Sequence, residues 1–148
     1  MDHAPEDVAC TGRTLVLDVP ARLDLVTVVR MVVASAATAE NALSGDRVDD
    51  LRWVVSEAVT NAVEASLLSS DHGRIRITCQ MLADGVALDV EDNGPGMPTV
   101  VDEHHIEDPG RLSIEGGFGI QLMRRLSSGP VEFQSTPAGT TVTLQVRQ

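Results

Sequence analysis

The apolar residues of this chain recur with two different periods, and each period predicts one kind of secondary structure. Residues 14–19 alternate between apolar and polar, as a strand with one buried face does, and Pro20 ends that strand. Over residues 23–43 and 48–68 the apolar positions recur every three to four residues, which predicts two amphipathic helices separated by Ser-Gly-Asp at residues 44–46. The first helix is expected to bury one stripe, made of Leu25, Val28, Val29, Val32 and Val33.

The second half of the chain begins with period two. Residues 75–81 and 86–90 alternate on either side of Asp84-Gly85, which predicts a hairpin. Glycines and prolines are frequent over residues 93–118, so we expect a long irregular connection there. The last predicted elements are a helix at 119–126 and strands at 131–135 and 140–146.

This order of elements predicts a single α+β domain over residues 13–148, after a flexible leader at residues 1–12. The domain is expected to be a two-layer sandwich, in which helices cover a mixed, mostly antiparallel sheet. With 148 residues, 43% of them hydrophobic, the chain can bury a core without disulfides or a structural metal. The two cysteines, Cys10 and Cys79, are too few for a zinc cluster, and Cys79 is expected in the core.

The charge balance makes several classes of partner improbable. The net charge of −11 disfavours nonspecific binding to nucleic acid. No apolar stretch reaches the roughly 18–20 residues that cross a bilayer, and the acidic N-terminal segment does not resemble a signal peptide. We therefore expect a cytoplasmic protein that binds neither membrane nor nucleic acid directly.

Glu57 and Asn61 lie four residues apart on the second predicted helix, so their side chains share one face. One interpretation is a polar helix edge with a local hydrogen bond. The other is a carboxylate that acts as a general base beside an amide oxygen that binds Mg²⁺, an ion that takes few protein oxygens plus substrate phosphates. The two residues alone leave both interpretations open.

The sequence Asp-Asn-Gly-Pro-Gly at residues 92–96 follows a predicted strand. It is typical of a turn. It could also bind adenine, because the Asp92 carboxylate only accepts hydrogen bonds and adenine offers an exocyclic amine where guanine has none. Gly94 and Gly96 would then let the backbone approach the base closely.

Two further glycine motifs occur near the C-terminal end of the chain. Residues 116–120 read Gly-Gly-Phe-Gly-Ile and lead into a predicted helix, which is typical of an anion site at a helix N-terminus or of a flexible hinge. Residues 139–141 read Gly-Thr-Thr and by themselves predict only a hairpin turn.

Taken together and in this order, the four motifs resemble the ATP-binding boxes of the superfamily of gyrases, heat-shock chaperones, histidine kinases and MutL (GHKL). The stretch Val-Ser-Glu-Ala-Val-Thr-Asn-Ala at residues 55–62 is similar in particular to the bacterial anti-sigma factor serine kinases, which regulate stress response and sporulation. The resemblance covers roughly residues 14–146 and implies a Bergerat-type sandwich that binds ATP and Mg²⁺.

The resemblance also implies roles for single residues. Glu57 would be the general base, Asn61 the Mg²⁺ ligand and Asp92 the carboxylate that binds adenine. The other matching positions would shape the nucleotide loops or lie near the adenine: Gly94, Gly96, Gly117, Gly119 and Thr141.

The family resemblance extends to partners. It implies a homodimer that sequesters a sigma factor and phosphorylates a serine of an anti-sigma factor antagonist. Arg30 matches an arginine that contacts both partners in the family, and a solvated helix charge is the alternative. Two departures bear on activity: residues 64–66 read Glu-Ala-Ser where the family often has a His, and Arg111 is the only cation in the lid at residues 101–115.

Two other functions stay open: a non-catalytic binding module that ATP controls, and the catalytic domain of a two-component histidine kinase. The histidine kinase is disfavoured because no phospho-accepting His helix precedes the domain. The acidic, His-containing run at residues 102–108 is expected to be a solvated lid tip rather than a transition-metal site, because no rigid element fixes its ligands.

Overall fold

The computed structural model of this chain describes residues 10–68, 73–94 and 116–148. The predicted helices and strands are confirmed, with ends that differ by a few residues. The elements are β1 (Cys10–Pro20), a 3-10 turn (Leu23–Leu25), α1 (Val26–Ala39), α2 (Asp46–Leu67), β2 (Arg74–Leu82), β3 (Gly85–Glu91), α3 (Gly116–Leu126), β4 (Glu132–Thr136) and β5 (Gly139–Arg147). Strand β1 begins inside the segment expected to be a leader, and residues 1–9 lie outside the described residues.

The five strands form one sheet in the order β1-β2-β3-β5-β4, and each of the four pairings is antiparallel. We expected a mixed sheet, and the connections explain the difference. Helices α1 and α2 form a hairpin that returns the chain to the end of β1, where Arg74 pairs with Pro20. The crossover through α3 does make β4 parallel to β3, but β5 lies between them.

Helix α2 lies between α1 and α3, and these helices cover one face of the sheet. Helix α1 buries Val29 and Val33 as predicted, whereas Val28 is 52% exposed, because α1 has a helix on only one side in the described part of the chain. Cys79 lies in the core as predicted, and burial raises the pKa of its thiol to about 12. The most deeply buried residues of α2 are Leu51, Val54, Val55, Ala58 and Val59.

Arg47, at the start of α2, joins three elements. Its guanidinium donates to the carbonyl oxygen of Arg147 in β5 (2.6 Å), to that of Leu126 at the end of α3 (3.2 Å) and to Oγ of Ser128 (2.9 Å). It also pairs with Asp50 at 2.7 Å. These bonds hold the C-terminal end of α3 against α2 and so set the direction in which α3 approaches the middle of α2.

Candidate nucleotide-binding cleft

One face of α2 carries two of the polar residues that the sequence singled out. Glu57 and Asn61 are half-buried on successive turns, and Ala65 follows one turn later. Four helical residues rise about 6 Å, so the three positions mark a line about 12 Å long. Other parts of the chain contact this line at both of its ends.

Helix α3 contacts the line at Glu57. A methyl group on Gly119 would collide with Oε2 of Glu57 and would lie 3.3 Å from its Cδ, so glycine leaves the space that the carboxylate occupies. The first turn of a helix carries N–H groups without intrahelical partners and a partial positive charge. The N–H groups in the first turn of α3 can therefore attract an anion directly beside Glu57.

The loop after β3 contacts the other end of the line. A methyl group on Gly94 would lie 2.6 Å from the carbonyl oxygen of Ala65, so the loop backbone packs directly on α2. This packing holds Asp92 beside the C-terminal turns of α2. The candidate nucleotide-binding cleft is this stretch of α2, with Glu57 at one end, Asp92 at the other and Asn61 between them.

Asp92 is held by the backbone around it and is 9% exposed. Its Oδ1 accepts hydrogen bonds from the N–H groups of Gly94 (2.8 Å) and Thr140 (3.3 Å), and its own N–H donates to the Thr140 carbonyl (3.0 Å). Burial raises the pKa of Asp92, and the two N–H donors offset part of that rise. Because Oδ1 takes both bonds in the described part of the chain, Oδ2 can accept a bond from a ligand.

The start of β5 closes the Asp92 end of the cleft. Gly139 has a φ of 148°, and a methyl group there would collide with the carbonyl oxygen of Asp92. Thr140 is 6% exposed on the helix-covered face, with its hydroxyl 3.2 Å from Oγ of Ser135. Thr141, the position expected near adenine, lies on the other face because strand side chains alternate. Thr140, not Thr141, is therefore the candidate threonine on the helix-covered side of Asp92. The alternation of buried and half-buried positions along residues 140–146 indicates this.

The remaining predicted site residues lie apart from this cleft or outside the described ranges. Gly96, Arg111 and the acidic run at residues 102–108 are outside them. Gly117 lies at the N-terminal end of α3. Arg30 is half-buried on α1, which α2 separates from α3, so the structure does not bring it into the cleft. Within the described ranges, no group of three or more His, Cys, Asp or Glu residues could hold a metal ion.

Comparison with known proteins identifies the family. Residues 19–146 match the sequence profile of the histidine kinase-like ATPase domain. This chain belongs to that family. The serine-protein kinase RsbW of Oceanobacillus iheyensis is 30% identical over 115 residues, which cover 74% of this chain and 72% of RsbW. The C4-dicarboxylate transport sensor protein DctB of Rhizobium meliloti is 35% identical over 103 residues, which cover 66% of this chain but only 16% of DctB.

A solved structure shares the fold of this histidine kinase-like ATPase domain. A chain from the SiaB-SiaC complex of Pseudomonas aeruginosa aligns with a TM-score of 0.55 and 15% identity, over 89% of this chain and 88% of that chain. The predicted family and the two-layer fold are thus confirmed. Domains of this family bind ATP, typically with Mg²⁺, and the likeness to RsbW supports a kinase that uses ATP. None of the helices in the described ranges is both long and apolar enough to cross a membrane.

Proposed function

We propose that this protein is an anti-sigma factor with serine kinase activity, which binds ATP with Mg²⁺ and phosphorylates a serine of an anti-sigma factor antagonist. The observation that carries the proposal is the arrangement along one face of α2, with Gly119 against Glu57 at one end and the loop of Asp92 against Ala65 at the other. The likeness to RsbW over most of both chains favours serine as the acceptor.

The nucleotide would lie along α2, with adenine at Asp92 and the phosphates toward Glu57. Oδ2 of Asp92 would accept a hydrogen bond from the adenine amine, and guanine has a carbonyl oxygen there, so we expect ATP to bind better than GTP. Asn61 offers an amide oxygen between the two ends, a ligand type that Mg²⁺ takes together with phosphates. Bound Mg²⁺ would neutralise charge on the phosphates, and the N-terminal turn of α3 would donate N–H groups to them.

Glu57 would act as the general base. Its carboxylate takes the proton of the serine hydroxyl, the hydroxyl oxygen bonds to the γ-phosphorus, and the bond from that phosphorus to the bridging oxygen of ADP breaks. The products are phosphoserine, ADP and a protonated Glu57, which returns its proton to solvent. Contact with Gly119 favours this role because it holds the carboxylate beside the N-terminal half of α3.

The proposed partners are a sigma factor, the antagonist and a second copy of this chain, in the cytoplasm. Arg30 on α1 is the proposed contact for the sigma factor and the antagonist. An exposed surface favours dimer formation on the same side of the molecule: β1 is an edge strand, and Val28 and Met31 of α1 are 52% and 60% exposed.

A specific observation favours each of two alternatives. The match to the histidine kinase-like ATPase domain, together with the likeness to the sensor protein DctB, favours the catalytic domain of a histidine kinase. Residues 101–115 contain a single Lys or Arg, Arg111. Phosphoryl transfer relies on cations that stabilise the phosphate charge, so this scarcity favours a binding module that ATP controls without phosphoryl transfer.

One labelling experiment separates the three functions. The protein is incubated with ATP labelled at the γ-phosphate and with candidate antagonists, or histidine-containing dimerisation domains, from the same genome. We expect an acid-stable label on a serine of one antagonist. Acid-labile label on histidine alone would favour the histidine kinase, and ATP-dependent capture of a partner without any transfer would favour the binding module.

A further inference from the structure

Trp53 is an exposed aromatic side chain that the cleft described above does not use. It is the only tryptophan of the chain, it lies on α2, and it is 57% exposed. A tryptophan is large and mostly buried on average, so an exposed one calls for an explanation. Surface tryptophans are enriched at interfaces, where they provide much of the binding energy.

Trp53 lies one helical turn before Glu57. Residues four apart share a helix face, and helical side chains tilt toward the N-terminus, so the carboxylate of Glu57 lies over the turn that begins at Trp53. A second aromatic side chain is exposed nearby on α3: Phe118 is 70% exposed and adjoins Gly119, the residue that contacts Glu57. Exposed aromatic side chains therefore lie on both helices that meet at the proposed base.

The position of Trp53 relative to the nucleotide gives it a role. The adenine end of the cleft is at Ala65, about 12 Å along α2 from Glu57, and Trp53 lies about 6 Å beyond Glu57 on the side away from adenine. In phosphoryl transfer the attacking and leaving oxygens are roughly in line with the phosphorus. The acceptor hydroxyl must therefore approach from the side of the γ-phosphate that is opposite to ADP, and this is the Trp53 side.

We propose that Trp53 docks the polypeptide that carries the accepting serine, by packing against an apolar side chain next to that serine. This inference rests on the proposed kinase function. A polypeptide is the occupant because the accepting serine belongs to one and the exposed ring of Trp53 offers an apolar contact, while the charges next to it, Asp49 and Arg52, pair with each other. Trp53 thus determines affinity for the acceptor and leaves the chemistry to Glu57.

The test measures steady-state transfer from γ-labelled ATP to an antagonist that the unaltered protein phosphorylates. Trp53→Ala should raise the KM for the antagonist about tenfold or more, with kcat and the KM for ATP within about twofold of the parent. Trp53→Phe should retain most of the affinity because it keeps an aromatic ring. The matched control is Leu23→Ala, since Leu23 is an apolar residue that is 52% exposed in the 3-10 turn before α1.

A second measurement uses Trp53 itself as the probe. When an antagonist without tryptophan is added with ADP, the fluorescence of this single tryptophan should shift to shorter wavelength as water leaves the indole. An antagonist KM in Trp53→Ala within about twofold of the parent would overturn the inference and leave the kinase function intact. An unchanged emission spectrum at saturating antagonist would also overturn it. Absence of transfer by the unaltered protein to every candidate antagonist would reject the kinase function and this inference with it.

Discussion

The carboxylate of Glu57 occupies the space that a side chain at position 119 would need, so Gly119 and Glu57 are in direct contact. The atom in the way is the end of a flexible side chain, not backbone, so a larger residue can be accommodated if the carboxylate moves. Helix α3 is anchored at its other end by the bond from Arg47 to Leu126. The packing of α3 on α2 therefore sets the position of the proposed base.

Gly119→Ala should separate stability from activity. Alanine favours a helix over glycine by about 0.5–1 kcal/mol, so thermal unfolding should show equal or greater stability. Phosphoryl transfer should fall about tenfold or more because the methyl group displaces the Glu57 carboxylate. Gln121→Ala, at an exposed position of the same helix, is the control and should leave transfer unchanged. Parental transfer in Gly119→Ala would show that the carboxylate position is not critical.

Gly94→Ala should reduce both stability and nucleotide affinity. The methyl group would meet the carbonyl oxygen of Ala65 at 2.6 Å, and a backbone atom cannot move aside as a side chain can. We expect a loss of about 1–3 kcal/mol in the free energy of unfolding, together with weaker ATP binding in calorimetry. Gly129→Ala separates the two effects: Gly129 has a φ of 86° and open space around it, so alanine should cost stability there without changing ATP affinity.

Asp92→Asn should lose ATP affinity without losing stability. Asparagine can still accept the N–H bonds of Gly94 and Thr140, but it does not carry the buried charge. Burial raises the pKa of Asp92 in the folded protein above its unfolded value of about 3.9. The folded parent therefore keeps the carboxyl proton to higher pH than the unfolded chain does. Its stability falls as the pH rises from about 3.9 through the folded pKa. Denaturant unfolding of the ligand-free proteins should therefore show Asp92→Asn equal to or more stable than the parent at pH 7, with a smaller difference at pH 4. A less stable variant at pH 7 would contradict the burial argument.

Arg47→Ala should destabilise the fold far more than a change at an ordinary surface arginine. Its guanidinium is half-buried and bonds to two backbone carbonyls and two side chains, so we expect a loss of about 2–4 kcal/mol in chemical denaturation. Arg52→Ala is the matched control, because Arg52 pairs only with the exposed Asp49 in the described part of the chain. Its loss should stay below about 1 kcal/mol. Equal losses in the two variants would show that the Arg47 bonds contribute little.

The sequence predicted the elements well because their apolar periods follow burial closely. The stripe of α2 and the alternation of β2 both match buried positions. Long-range relationships were less accessible. Val28 has the spacing of a core residue, but its exposure depends on α1 having a neighbour on one side only. Likewise, the antiparallel pairing throughout the sheet depends on β5 lying between β3 and β4, which no local pattern encodes.

At the candidate site, too, local features were predictable from the sequence and long-range contacts were not. Helical spacing was enough to place Glu57 and Asn61 on one face. The fit of Gly119 against Glu57 could not be read from the sequence, because it depends on how α3 crosses α2. The choice between Thr140 and Thr141 could have been made from strand alternation, which places Thr140 with the buried residues of β5.

The most direct test of the account compares Glu57→Gln with the parent for ATP binding and for phosphoryl transfer to a cognate antagonist. Glutamine keeps the size of the side chain but cannot take the serine proton, so transfer should fall about 100-fold or more while ATP affinity stays within about threefold. Glu132→Gln, the same substitution at an exposed position of β4, should leave both nearly unchanged. Transfer by Glu57→Gln at close to the parental rate would contradict the assignment of Glu57 as the base and, with it, the proposed use of the cleft.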